Sequence, residues 1–273
     1  MALKVLTHPV SGRTFKMGRR RPTLAPPRFR LRDYLDNTAL PTPPATADYT
    51  QAALPALQNI YGNDTLGDCV IAGMCHVSGT LTGNAGDLVT YSGDQVVALY
   101  SAIGRYVPGD ESTDNGCDEQ TALAYWLKNG LLPDGSHKIQ GSLGVDGTNP
   151  TEVRIAAWLF ENLIFGVELP DEWVNPMPEG SGFVWDVAGD ADPDNGHCFV
   201  GVGYNSGGIV IDTWGMFGVI TDQAIQKYAT TAGSGELYTV VSLDGIAKAT
   251  QKAPNGFDWE QLTADFDSMG GTI

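Results

Sequence analysis

The sequence has few cysteines and no long apolar run. No stretch reaches the roughly 18 apolar residues that a membrane-spanning helix needs, and the apolar part of residues 1–9 is too short for a secretory signal. Four cysteines in 273 residues are too few for a disulfide framework: Cys69, Cys75, Cys117 and Cys198. These absences predict a cytoplasmic or otherwise intracellular protein without a membrane partner. A virion-associated location stays open.

Acidic residues are missing from residues 1–32, which carry a charge of +9 and are rich in arginine. The rest of the chain carries −25, so that the net charge is −16. An acidic body repels nucleic acid, and nucleic acid is therefore not expected as a partner. Two alternatives remain for the basic arm. It lies on its own acidic body, or residues 1–33 bind a protein partner or a second copy of the chain.

Metal-ligand spacing is also missing. No pair of cysteines and histidines is spaced as in a zinc site, so the sequence predicts neither a metal nor a cofactor. Cys75 and His76 are expected to be structural. His76 would lie on nearly the same helix face as Cys69 but about 10 Å further along the axis, too far for a base. Cys198 is expected in the core.

The order of the predicted elements favours an α+β fold. Apolar residues at helical spacing predict helices over residues 69–81, 94–104 and 118–129 and a fourth from Asn149. Strands are predicted over residues 164–169, 197–204, 208–213 and 236–242. Helices first and strands later are typical of α+β proteins rather than of alternating βαβ units. Prolines favour an extended arm over residues 1–54, followed by a domain over 55–245 and a tail over 246–273.

A cysteine stands where a polar turn enters the first predicted helix. A thiol in the first turn of a helix lies in the positive end of the helix dipole, which favours the nucleophilic thiolate. Asn63 lies six residues before Cys69 and could donate its amide to an oxyanion formed there. The alternative is that Cys69 is a small core residue, as many buried cysteines are.

Further motifs follow in a fixed order. His197 begins a strand-like run, and Asp212 precedes Thr213, Trp214 and Gly215. His197 and Asp212 lie 128 and 143 residues after Cys69, close to the roughly 130–150 residues between catalytic positions in papain-like cysteine peptidases. The chain resembles this family over about residues 55–243. The resemblance includes the segments Tyr91-Ser92-Gly93-Asp94-Gln95 and Asn115-Gly116-Cys117.

The resemblance implies a helical lobe over about residues 63–162, followed by an antiparallel β-barrel-like lobe over about 163–245. The active-site cleft would lie between the lobes. It also implies a cysteine endopeptidase-like thiol hydrolase that cleaves a peptide or protein substrate through an acyl-enzyme. The implied catalytic residues are the nucleophile Cys69, the base His197, the orienting Asp212 and the oxyanion donor Asn63. The implied substrate-binding or shielding residues are Gly67, Asp68, Gly196 and Trp214.

Departures from the family pattern favour a second hypothesis. A charge on Asp68 would oppose ionisation of the neighbouring thiol. Asp118-Glu119-Gln120 stands where the family has the glycines that let substrate lie along the cleft, and Leu66 stands where the bridging partner of Cys117 is expected. The alternative is a catalytically weak or inactive subunit with the same fold. Its basic arm would attach it to a larger assembly, for example a virion-like one.

Overall fold

The fold is described from a computed structural model, which covers residues 3–21 and 29–269. Three prolines of the predicted extended arm, Pro22, Pro26 and Pro27, lie outside the described residues. The helices are α1 (Leu54–Leu57), α2 (Cys69–Ala85), α3 (Gly93–Gly104), α4 (Glu119–Asn129), α5 (Pro150–Phe160), α6 (Asp222–Tyr228), α7 (Leu243–Lys252) and α8 (Trp259–Ser268). The strands are β1 (Val5–Thr7), β2 (Thr14–Lys16), β3 (Ala47–Asp48), β4 (Gly141–Gly144), β5 (Leu163–Pro170), β6 (Phe183–Trp185), β7 (Ala191–Asn205), β8 (Gly208–Thr213), β9 (Met216–Ile220) and β10 (Glu236–Val241). Within the described ranges, no helix has the length and apolarity needed to cross a bilayer.

Three predicted helices begin at their capping residues. Ser92 and Gln95 form a reciprocal capping box at the start of α3. The Asn149 side chain caps α5, whose first residue is Pro150. The Asp118 side chain accepts a hydrogen bond from a backbone N–H in the first turn of α4. These starts confirm the predictions made from the sequence.

Helix α2 continues past its predicted end, because its glycines pack closely and do not stop the helix. A Cβ added to Gly79 would lie 2.2 Å from the Cβ of Ala56, and one added to Gly83 would lie 2.4 Å from the carbonyl oxygen of Ala52. Both glycines therefore let the preceding segment approach the helix. The helix ends at Gly86, which adopts the left-handed conformation with φ of 91°.

One sheet contains most of the strands, in the order β4-β10-β5-β7-β8-β9-β6, with β3 also paired to β7. All neighbours in it are antiparallel except β6 and β9. The α+β prediction is confirmed. The β-barrel-like closure is not found in the described part of the chain, where β4 and β6 are the ends of an open sheet.

The sheet separates two apolar cores. Phe165 and Phe199 stack with ring centroids 4.8 Å apart in the core that also contains α5 and α6. Their neighbours Ile164, Cys198 and Val200 belong to the other core, with residues of α2, α3 and α4. Successive side chains of a strand point to opposite faces of the sheet, which explains the alternation. Helix α2 therefore packs directly on β7, and Cys198 is buried as predicted.

The predicted tail packs on the core as far as it is described. Leu262 and Phe266 of α8 are fully buried. A Cβ added to Gly141 would lie 2.4 Å from the ring of Phe266, so the helix sits tightly on β4. The two apolar residues are four positions apart and share one face of a helix. This spacing is typical of a helix that packs on a core, and the prediction of a tail did not use it.

The basic arm lies on the acidic body. Strands β1 and β2 pair with each other, and Leu6 and Phe15 on them are buried. Cations of the arm pair with carboxylates of the body: Lys4 with Asp171 and Asp192, Arg13 with Asp64, Lys16 with Asp114, Arg19 with Glu119 and Glu236, Arg21 with Glu168, and Arg32 with Asp146. In the structure of the single chain, the described part of the arm therefore lies on its own acidic body, the first of the two alternatives.

Candidate active site

Cys69 is the first residue of α2 and is almost completely buried. Burial raises the pKa of its thiol to about 12, although backbone N–H groups of Cys198 and Gly18 face the sulfur and act in the opposite direction. The helix dipole was expected to favour the thiolate, and burial outweighs it here. Burial also raises the pKa of Asp68 well above its ordinary value and favours the neutral carboxylic acid. The expected negative charge beside the thiol is therefore suppressed.

His197 lies on β7 with its ring stacked on Trp214, the centroids being 4.5 Å apart. Its Nε2 lies 2.8 Å from the hydroxyl oxygen of Thr213, whereas its Nδ1 has no hydrogen-bond partner. Burial lowers the pKa of His197 to about 3, so the imidazole is neutral. Trp214 stacks on this ring, and the shielding role that the resemblance implies for it stays a prediction.

Asp212 does not contact His197 in the way that the resemblance implies. One of its carboxylate oxygens lies 3.2 Å from Nδ1 of His76 on α2. Neighbouring residues of a strand point to opposite faces of the sheet. Because Thr213 points towards His197, Asp212 points towards helix α2. The hydroxyl of Thr213 occupies the place predicted for the Asp212 carboxylate.

His76 is therefore part of the site and not only a core residue. Its Nε2 lies 2.7 Å from the carbonyl oxygen of Asn59, which can only accept, so this nitrogen carries a hydrogen. Burial lowers the pKa of His76 to about 4 and raises that of Asp212 well above its ordinary value. Both shifts oppose charge and favour a neutral pair, in which the Asp212 carboxylic acid faces the unprotonated Nδ1.

Asn63 is engaged by the arm and by its own loop. Its side-chain amide donates to the carbonyl oxygens of Lys16, at 2.9 Å, and Leu66, at 3.1 Å. Both amide hydrogens are used in these two bonds. In this form of the protein, Asn63 is therefore not available as the oxyanion donor that the resemblance implies.

A small cavity between α2 and the sheet brings these residues together. Its volume is about 10 Å³, close to the lower limit for one water molecule. A Cβ added to Gly73 would lie 3.0 Å from the sulfur of Cys198, so this glycine lets the strand approach the helix. The predicted site residues that line the cavity are Asn63, Cys69, His197, Asp212 and Trp214, and those not predicted include His76 and Thr213.

The sequence contained a signal for His76. It lies seven residues after Cys69, and Ala72 and Gly73 share the same face of the helix between them. This face lines the cavity along its length. The distance of about 10 Å along the helix axis considers His76 only as a possible base for Cys69. It does not consider that Asp212 of the sheet could contact His76.

The arm passes beside Cys69 in extended form. The backbone N–H of Cys117 donates to the carbonyl oxygen of Gly18, and that of Arg20 donates to the carbonyl oxygen of Cys117, both at 3.0 Å. The backbone N–H of Arg19 donates to the carbonyl oxygen of Gly196 at 3.1 Å. Residues 18–20 therefore connect the helical side of the cleft with the residue before His197.

Gly18 is the tightest point of this crossing. A Cβ added to it would lie 1.9 Å from the carbonyl oxygen of Gly67, two residues before the thiol. A Cβ on Gly116 would lie at the same distance from the carbonyl oxygen of Gly18. Gly67 and Gly196, predicted to bind substrate or to shield the site, thus contact the arm. Asp68 lies buried beneath them.

Solved structures with a similar fold are papain-like cysteine proteases. Xylellain, a cysteine protease from Xylella fastidiosa, has a TM-score of 0.62 at 13% identity, covering 89% of this chain and 100% of that one. Digestive procathepsin L2 from Tenebrio molitor larval midgut has a TM-score of 0.58 at 14% identity, covering 83% and 78%. The ragweed pollen allergen Amb a 11, a cysteine protease in its proform, has a TM-score of 0.53 at 15% identity, covering 76% and 67%.

These similarities show the fold. No protein-family model matches the sequence, and no curated protein does. The chain has the papain-like fold, in which a helical part packs on an antiparallel-rich sheet. The resemblance found in the sequence is therefore confirmed at the level of the fold.

Proposed function

We propose that the chain is a papain-like cysteine peptidase whose own amino-terminal arm holds it in a closed, latent form. The observation that carries the proposal is one small cavity lined by both Cys69 and His197, with Nδ1 of His197 unpartnered. Buried polar atoms are normally hydrogen-bonded, and unpaired ones gathered around a thiol are typical of a reactive centre.

Each residue has a defined chemical role in this proposal. The tautomer of His197 that donates from Nε2 to Thr213 leaves Nδ1 free to accept the proton of the Cys69 thiol. The sulfur attacks the carbonyl carbon of the substrate, and the imidazolium then gives its proton to the departing amine nitrogen. Water hydrolyses the resulting thioester by the same proton route and restores the thiol.

The closed form explains why the groups are not poised for reaction. Burial raises the pKa of Cys69 and lowers that of His197, and both shifts oppose a thiolate–imidazolium pair. Departure of the arm would readmit water to both groups and reduce both shifts. It would also free the Asn63 hydrogen that now bonds Lys16 and make it available to an oxyanion.

The arrangement of the arm favours a latent peptidase over an assembly subunit. A segment that attaches a subunit to a partner needs its cations free, whereas Arg19 and Lys16 are paired with carboxylates of the same chain. Glu119, which replaces a cleft glycine of the family pattern, is one of the partners of Arg19. That departure therefore fits a cleft adapted to the arm.

The test is hydrolysis of a peptide library, with new amino termini detected by mass spectrometry. Wild type and Gly18→Ala are compared, because the added methyl group displaces the arm. Cleavage is expected to increase in Gly18→Ala and to vanish when Cys69→Ala is added. Cys75→Ala is the matched control, since this second buried thiol of α2 does not line the cavity. Cleavage that survives Cys69→Ala, or none in either form of the chain, would refute the proposal.

A further inference from the structure

Arg19 is buried completely inside the cleft. Its guanidinium donates to Glu236 at 2.9 Å, to the carbonyl oxygen of Ser234 at 3.0 Å and to Glu119 at 3.3 Å. The exposed fraction of the side chain is 0% for Arg19, 1% for Glu119 and 10% for Glu236. A guanidinium with three directed partners in a buried pocket is a specific recognition geometry.

The pocket around Arg19 is built to hold its two carboxylates. The second oxygen of Glu236 accepts from the hydroxyl of Tyr238 at 2.6 Å, and Gln120 donates to that hydroxyl at 2.9 Å. A Cβ on Gly166 would lie 2.5 Å from a carboxylate oxygen of Glu119, so only glycine leaves room for it. These contacts of Glu236 and Glu119 are made by residues of the body and not by the arm.

The charge of the pocket determines which side chain can bind in it. Two carboxylates face one guanidinium, so without the arm the pocket holds two buried acids and no cation. Burial raises the pKa of Glu119, and Arg19 opposes this shift. A buried carboxylate without a partner is strongly unfavourable. An apolar side chain entering the pocket would leave both acids unpaired, whereas an arginine pairs with them.

The pocket lies beside Cys69 and His197. Arg19 follows Gly18, the residue pressed against the carbonyl of Gly67 near the thiol. The backbone N–H of Arg19 bonds the carbonyl of Gly196, which immediately precedes His197. A side chain in this pocket therefore belongs to a residue next to the one that crosses Cys69.

We propose that Glu119 and Glu236 form the specificity pocket of the cleft and select an arginine side chain of the peptide substrate. In the closed form, Arg19 of the arm occupies the place of that substrate arginine. This inference rests on the proposed peptidase function. A second acidic position extends it. Glu168 is buried and pairs with Arg21, whose terminal nitrogen lies 2.7 Å from one of its oxygens. The substrate class is a peptide with an arginine near the cleaved bond and a further basic residue two positions away.

Binding to the pocket is tested without hydrolysis, on full-length Arg19→Ala. The probes are N-acetyl-arginine amide and its uncharged counterparts N-acetyl-citrulline amide and N-acetyl-leucine amide. The arginine probe is expected to raise the melting temperature of Arg19→Ala in a saturable way and to leave wild type unchanged, because Arg19 fills the wild-type pocket. The citrulline and leucine probes are expected to have no effect. Adding Glu236→Gln to Arg19→Ala is expected to abolish the rise.

Selectivity is tested on Gly18→Ala, which keeps all the acidic residues. Fluorogenic peptides carry arginine or leucine at each position beside the cleaved bond, and kcat/KM is measured. Arginine is expected to be preferred at one position by roughly tenfold to a hundredfold, the value of a hydrogen bond to a charged group. Adding Glu236→Gln is expected to remove most of that preference. The matched control is Glu260→Gln on α8, whose side chain is exposed.

The outcomes separate this inference from the proposed function. Hydrolysis that depends on Cys69 but treats arginine and leucine alike would overturn the specificity pocket and leave the peptidase intact. No hydrolysis in any form would refute the peptidase. The melting experiment would then decide the pocket alone: a rise with the arginine probe supports it, and no rise overturns it. If Arg19→Ala does not fold, the loss of preference in Glu236→Gln decides instead.

Discussion

Nδ1 of His76 lies 3.2 Å from a carboxylate oxygen of Asp212, so the acid expected to orient the histidine of the sheet instead faces a histidine of the helix. Two imidazoles, two thiols and one carboxyl group line the same cavity. The proton acceptor for Cys69 is therefore a choice between His197 and His76. We favour His197, because its Nδ1 is unpartnered, whereas both nitrogens of His76 face oxygen atoms.

Exchanging each histidine separately tests that choice. In Gly18→Ala, we expect His197→Ala to lower hydrolysis by about 10² to 10⁴, the usual contribution of a general acid–base residue. We expect His76→Asn to act on stability, because it disturbs the contact to Asp212 and the bond to Asn59, at a cost of about 1–3 kcal/mol. The measurements are kcat/KM and urea unfolding. A folded His76→Asn with the same loss of kcat/KM as His197→Ala would make His76 the base.

Adding one methyl group to Gly18 should open the arm. The new Cβ would lie 1.9 Å from the backbone carbonyl oxygen of Gly67, which cannot move aside as a flexible side chain could. We expect Gly18→Ala to be cut by trypsin after Arg19 and Arg20 faster than wild type, because these residues leave the cleft. Gly93→Ala is the control, since nothing lies within 4 Å of a Cβ added there. Equal cutting of Gly18→Ala and wild type would contradict the closed-arm interpretation.

The burial of His197 should make stability depend on pH. Burial lowers its pKa from 6.5 to about 3, so between these values the unfolded chain binds a proton that the folded chain does not. The stability contribution of the neutral ring is present above pH 6.5 and is lost as the pH falls towards 3. Between pH 7 and pH 5 this loss is about 2 kcal/mol.

The variant His197→Gln isolates that loss. We expect its free energy of unfolding, measured in urea at both pH values, to fall by about 2 kcal/mol less than that of wild type between pH 7 and pH 5. The buried acids Asp68 and Asp212 contribute with the opposite sign, because their pKa values are raised, but they are present in both proteins. The same fall in both proteins would mean that His197 is protonated in the folded state.

Local rules predicted the helix starts. Ser92 and Asn149 cap helices because a capping side chain acts within three or four residues, a range that sequence reasoning reaches. The partner of Asp212 could not be predicted in this way. It depends on which of two adjacent strand residues faces α2, and a shift of one residue in register exchanges Asp212 and Thr213.

The position of the arm also lay beyond sequence reasoning. Charge showed that residues 1–32 are attracted to an acidic surface, but a net charge of −25 gives no location on that surface. The location is set by backbone geometry at Gly18 and by two glutamates more than a hundred residues apart, Glu119 and Glu236. The sequence shows Asp118-Glu119-Gln120 in place of the cleft glycines, but it does not show that Arg19 is the counterpart of Glu119.

The last prediction concerns Asn63, which bonds the arm in the closed form and is proposed to bind the oxyanion in the open form. In Gly18→Ala, Asn63→Ala should lower amide hydrolysis by about 10² to 10³, the usual cost of losing one oxyanion donor. Alkylation of Cys69 by iodoacetamide forms no oxyanion, so its rate should stay unchanged. The comparison of the two rates in one protein separates the donor role from a change in the thiol. If both rates fall equally, Asn63 only holds the loop around Leu66 in place and the oxyanion assignment is wrong.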